Sequence, residues 1–173
     1  FSILFYFRHF HLTAFECVDR PCLSKDVFFL DRWVLNSVGD LWAQRWSNLT
    51  QNMSAVYALS FLMVFHLGAG RFFRNWWEDF LLIVQAVAWN LFINETIRIT
   101  TQRARPYVYL DQGLASDPSA YTSFYSGHTS FAAVTCSMTF LVLLLRGARM
   151  PLIAISGVIG SVLIVMTAVL RVQ

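Results

Sequence analysis

The sequence is poor in charge. Only 13% of its 173 residues are Asp, Glu, Lys or Arg, where a soluble domain carries about a quarter, so a water-soluble fold is excluded. Lysine occurs once, at Lys25, and the net charge of +3 rests on arginines that form no dense basic run. Such a chain offers no track for a phosphate backbone, which excludes nucleic acid as a partner. Cysteine is also scarce. Of the three, Cys17 and Cys22 flank Asp19-Arg20-Pro21 at a spacing that matches no common metal-ligand pattern; on an oxidising outer face they are expected to close a small disulfide loop. The third, Cys136, lies in an apolar run and reads as a small packing residue. Internal repeats, heptads and low-complexity tracts are missing. Near Phe1 there is no charged start with a small-residue cleavage site; Phe1 to Phe7 reads as the tail of an earlier apolar helix, and the protein is expected to continue at both ends.

What is abundant is apolar surface. Hydrophobic residues make up 57% and aromatics 16%, which excludes disorder, and the length allows one domain, residues 1–173. Four apolar runs, 53–69, 80–97, 130–145 and 151–170, approach the roughly 20 residues needed to cross a hydrocarbon core. The expected fold is therefore all-α, a polytopic transmembrane helical bundle in a cell or inner membrane. Residues 26–46 differ. Leu30, Val34, Val38 and Leu41 share one helical face, Arg32, Asn36, Asp40 and Gln44 form a polar row at four-residue intervals, and Trp33, Trp42 and Trp46 lie close by. The segment reads either as an amphipathic helix in the membrane interface or as a short helix packed on the bundle.

Successive spans alternate in direction, so the two tight basic connections, 68–75 and 146–149, fall on one side. Arg71, Arg74, Arg146 and Arg149 mark that side as cytoplasmic. The long polar loop 100–125 and the end of the fourth run fall on the other. Arg98, Arg103, Arg105 and Arg171 lie there too, against the charge rule, and need a chemical reason.

Three polar clusters meet at that outer face: Arg98 with Arg105-Pro106, then Tyr125-Ser126-Gly127-His128 before the third span, then Arg171 at the end of the fourth. Singly, each has an ordinary structural explanation as a snorkelling arginine, a helix cap or a hydrogen-bonded histidine. Together they describe a phosphate site. Arginine forks and the free N–H groups of a helix start bind phosphate oxygens, Gly127 permits close approach, and His128 can give a proton to a leaving oxygen. No carboxylate cluster suggests a metal, so the site is read as metal-independent, with no cofactor.

These residues resemble the three signature motifs of the type 2 phosphatidic acid phosphatase superfamily, membrane lipid phosphatases related to the vanadium haloperoxidases. The resemblance covers about 80–171. Arg98 stands where the family usually has lysine, Tyr125 where it has proline, and Leu170 where it has serine. The resemblance implies a six-span bundle, of which the last span is absent from this chain, with an extracytoplasmic active site. It implies that His128 is the catalytic general acid and that Arg98, Arg105, Ser126, Gly127 and Arg171 bind the phosphate of a membrane lipid phosphate or diphosphate. The nucleophilic histidine and its partner aspartate are expected beyond Gln173; His66 lies near the opposite membrane face, and His9 and His11 lie upstream without a matching motif. The alternative reading is a non-catalytic, phosphatase-like subunit serving packing or lipid binding in a larger membrane complex.

Overall fold

The computed structural model describes residues 41–68, 72–101 and 126–172. Cys17, Cys22, Arg105 and most of the 26–46 segment lie outside them. The described residues form four helices and no strand: α1 (Leu41–Gly68), α2 (Phe72–Thr101), α3 (Gly127–Leu145) and α4 (Met150–Val172). Three stretches are long and apolar enough to cross a membrane, Asn75–Thr101, Gly127–Leu145 and Met150–Leu170. The apolar runs at 80–97, 130–145 and 151–170 lie inside them. α1 has ample length at 28 residues, but its first half carries Gln44, Arg45, Asn48, Gln51 and Asn52. It joins the last residues of the 26–46 segment and the 53–69 run in one continuous helix.

The helices divide between two compact units. One comprises Trp42–Leu91 and Gly127–Arg171. The C-terminal turns of α2, from Phe92, and Ser126 belong to the other. Of the three membrane-length stretches, that of α3 is the most enclosed: a third of it is buried, against 11% for that of α2 and 22% for that of α4. Leu62 of α1, Ile83 of α2 and Val142 of α3 form one buried cluster with Trp76, Phe80 and Met138 against it. Leu143, Ala148 and Ile153 form another, closed by Phe61, Phe65 and Phe140. Higher up, Tyr57, Ala58 and Cys136 pack with Leu163 and Ile164, and the Tyr57 hydroxyl donates to the Ser156 carbonyl at 3.1 Å and also contacts the Ser156 hydroxyl. Cys136 is a free, buried thiol. These contacts pair residues that rise in number on one helix and fall on its neighbour, so α1, α2, α3 and α4 alternate in direction.

Two buried threonine hydroxyls are satisfied within their own helices, as hydrocarbon surroundings favour, while the buried hydroxyls of Ser47 and Thr135 have no hydrogen-bond partner among the described residues. Thr139 donates to Thr135 O at 2.8 Å and Thr167 to Leu163 O at 2.7 Å, each returning a proton to its own helix one turn back.

The turn from α3 to α4 is dictated by Gly147. Its φ of 70° is the left-handed conformation that a side chain disfavours. Ala148 N–H bonds Leu143 O at 2.9 Å and Gly147 N–H bonds Leu144 O at 3.1 Å, the paired bonds of a Schellman stop. Ala148 packs on Leu143, supplying the apolar contact that accompanies it. Pro151 falls in the first turn of α4, where its missing N–H costs no hydrogen bond.

Beneath this turn lies a polar cluster. Asp79, 0% exposed, accepts from Arg146 and pairs with the buried His66 at 3.0 Å. The ends of α1 and α3 and the start of α2 are thereby tied at one end of the unit. Arg146, expected from its sequence position to be a topology marker, is thus a structural partner as well.

Candidate active site

At the other end of the unit, α3 begins at Gly127, with His128 in its first turn. The first backbone N–H groups of a helix have no acceptor within it, and they carry the positive end of the helix dipole. A 19-residue helix is long enough for that field to develop, and an anion at its start would be stabilised. Ser126 immediately precedes it and is half-buried.

Two neighbours hold this start in place. His128 Nε2 lies 2.8 Å from Asn48 Oδ1 of α1. One turn along, Asn90 of α2 donates to the Ser130 hydroxyl at 3.2 Å, and that hydroxyl bonds Gly127 O at 3.1 Å. The histidine is thus mounted on a helix end fastened to two other helices, a more rigid support than a free loop. α4, running antiparallel to α3, brings the backbone of Arg171 in its last turns to the same end.

Arg98 is placed on the last turns of α2, in the other compact unit. It is largely buried, 18% exposed, and Nη1 lies 3.7 Å from Glu95 Oε1 one turn earlier. That carboxylate offsets part of its charge and aligns its stem along the helix. Arg105 lies outside the described residues. The structure therefore brings Gly127, His128 and the end of α4 to one end of the first unit, with Ser126 joined directly to Gly127. It adds Asn48, which none of the three polar clusters in the sequence includes. A signal for it existed: the polar row at 32, 36, 40 and 44 continues, at the same interval, to 48.

Among the described residues, no group of three or more His, Cys, Asp or Glu side chains is arranged to hold a metal ion.

The family model of the PAP2 superfamily matches residues 79–172, more than half of the chain. The chain belongs to this superfamily. The match opens at Asp79, the anchor of Arg146, and runs through α3 to the end of α4, so all six residues expected to form the PAP2 site fall within it. No curated protein and no solved structure matches the chain. With three apolar helices of membrane-spanning length, this is a membrane-associated member of the PAP2 superfamily.

Proposed function

We propose that the protein is an integral membrane phosphatase that hydrolyses a lipid phosphate or diphosphate monoester through a phosphohistidine. The observation that carries this reading is His128, hydrogen-bonded to Asn48 at the N-terminus of α3. Membership of the PAP2 superfamily and the apolar helices support it.

In this reading, the backbone N–H groups at the start of α3, the Ser126 hydroxyl and the guanidinium groups of Arg98, Arg105 and Arg171 hold the phosphate oxygens and stabilise the charge that gathers there as the bond to phosphorus breaks. The attacking group, as the family resemblance implies, is a histidine of the third motif. Its nitrogen forms a bond to phosphorus while the bond from phosphorus to the lipid oxygen breaks, and the leaving oxygen takes a proton from His128. Water then cleaves the phosphorus–nitrogen bond, with His128 taking up one proton of that water, and inorganic phosphate leaves. These residues need no metal ion for the two transfers.

Orientation follows from the same unit. His128 lies at the end opposite to Asp79, Arg146 and the basic turn that follows α3. If basic turns remain in the cytoplasm, the site opens on the extracytoplasmic face, where a lipid headgroup in the outer leaflet can enter.

The substitutions Arg98, Tyr125 and Leu170 at positions where the superfamily has lysine, proline and serine favour a second reading, a phosphatase-like subunit that holds lipid or packs in a larger complex without catalysis. One experiment separates the two. The protein from its whole reading frame, reconstituted in vesicles, is expected to release inorganic phosphate from phosphatidic acid or a prenyl diphosphate, and none from phosphatidylcholine, a diester. Absence of release from any phosphate monoester or diphosphate would overturn the enzyme.

A further inference from the structure

Asn48 touches the proposed acid of the reaction, yet it lies 80 residues away in sequence and upstream of the matched region. Its contact with His128 is short, 2.8 Å, and directional. An amide oxygen can only accept, so the proton in this hydrogen bond belongs to Nε2 of the imidazole. The neighbouring turn of α1 is packed into the unit through Ser47 and Thr50, both buried, with Thr50 bonding back to Ser47 O at 3.1 Å. Asn48 therefore projects from a fixed turn, and its oxygen is held where His128 must meet it.

We propose that Asn48 is a positioning residue for the phosphatase reaction: it keeps Nε2 of His128 protonated and the ring oriented for proton exchange with the leaving oxygen. This inference rests on the phosphatase reading. It explains why a neutral acceptor stands at this position. A histidine that serves as acid and then as base must gain and lose a proton near neutral pH. An amide oxygen fixes tautomer and direction without adding a full charge, whereas a carboxylate in the same place would favour the imidazolium and raise the pH at which it releases its proton. Glu95 and Arg98 stand on the last turns of α2 in the other unit; among the described residues of this unit, the ionisable groups at this end are His128 itself, Arg45 one turn before Asn48 on α1, and Arg171 near the end of α4. Arg45 and Arg171 are permanently charged, so neither titrates over the range in which the histidine works.

The test uses the full-length protein labelled with ¹⁵N-histidine in nanodiscs, with the His128 signals assigned by His128→Gln. In the parent, neutral His128 is expected to carry its proton on Nε2. Asn48→Asp should raise the midpoint of its titration by about one pH unit or more, and Asn48→Leu should lower the midpoint and mix the tautomers. In phosphate release, Asn48→Leu is expected to lower kcat about tenfold with KM little changed, and Asn48→Asp to move the alkaline limb of the kcat profile upward. Asn48 is exposed, so these variants are expected to fold; Asn48→Ser serves as a further, smaller replacement. The signal of His66, at the other end of the unit, should not move in any variant. An unchanged His128 titration and tautomer in the Asp and Leu variants would overturn the proposal even if the parent is an active phosphatase. An inactive parent would overturn the phosphatase reading and the proton-transfer role together, while the nuclear magnetic resonance arm still decides whether Asn48 holds the ring.

Discussion

Arg146 grips Asp79 with two nitrogens: Nη2 lies 2.7 Å and Nε 3.0 Å from Oδ1, across 67 residues of sequence. The carboxylate is fully buried while the guanidinium is 37% exposed, so the arginine reaches in from the surface to neutralise an interior charge. His66 closes the second oxygen at 3.0 Å, and Glu78 lies 3.4 Å from Nη2. The hydrogen bond to Asp79 holds the Arg146 guanidinium above its ordinary pKa, with burial working the other way and Glu78 adding a smaller increase. The group is already charged at every accessible pH, so raising its pKa cannot make the arginine end of this pair pH-sensitive.

Removing the buried carboxylate leaves a guanidinium and a histidine without their shared partner. Asp79→Ala is expected to destabilise the protein by about 3 kcal/mol, the low end for breaking a buried pair because Arg146 is partly solvated. Arg146→Lys keeps the charge but loses the two-pronged geometry, with an expected cost of about 1 to 2 kcal/mol. Chemical unfolding in detergent micelles measures both. If Arg146 served only as a topology marker, lysine would replace it without loss, and equal stability of the two proteins would establish that.

Helix contact between α3 and α4 depends on Gly160. A β-carbon there would lie 3.2 Å from Cys136 Cβ and 3.3 Å from the Tyr57 hydroxyl oxygen. Cys136 Cβ is fixed to the α3 backbone and cannot turn aside, so α4 would have to move. Gly160→Ala is expected to cost about 1 to 2 kcal/mol after the gain in helix propensity. Gly157 provides the comparison. A β-carbon at 157 meets the ring edge of Phe140 at 3.2 Å, a side chain that can swing. Gly157→Ala should remain within about 0.5 kcal/mol of the parent. The same unfolding measurement decides, and equal effects at the two glycines would contradict this account of the packing.

Hydropathy made the helices legible because each apolar run is itself the element: α2, α3 and α4 contain 80–97, 130–145 and 151–170. Their ends extend further because polar and aromatic flanks such as Trp76, Trp77 and Thr100 continue the same helices. The Gly147 turn was legible from local sequence for the same reason, since its hydrogen bonds close within a few residues. Partners distant in sequence were not. Counting arginines assigns Arg146 to a side of the membrane, and nothing in that count identifies Asp79 as its mate. In the candidate site, motif spacing identified Ser126, Gly127 and His128, which are consecutive. Asn48 escaped because its contact with His128 depends on α1 lying beside α3 in the same direction, a relationship visible only once the helices are packed.

The account turns on His128 as the group that protonates the leaving oxygen, and its replacement is the most direct test. Full-length parent and His128→Ala proteins, reconstituted at equal density in phosphatidic acid vesicles and matched for folding by their unfolding midpoints, are compared for release of inorganic phosphate. Loss of a general acid predicts a rate reduced by about 10² to 10⁴-fold. A His128→Ala protein that releases phosphate as fast as the parent would contradict the proposed function at its centre.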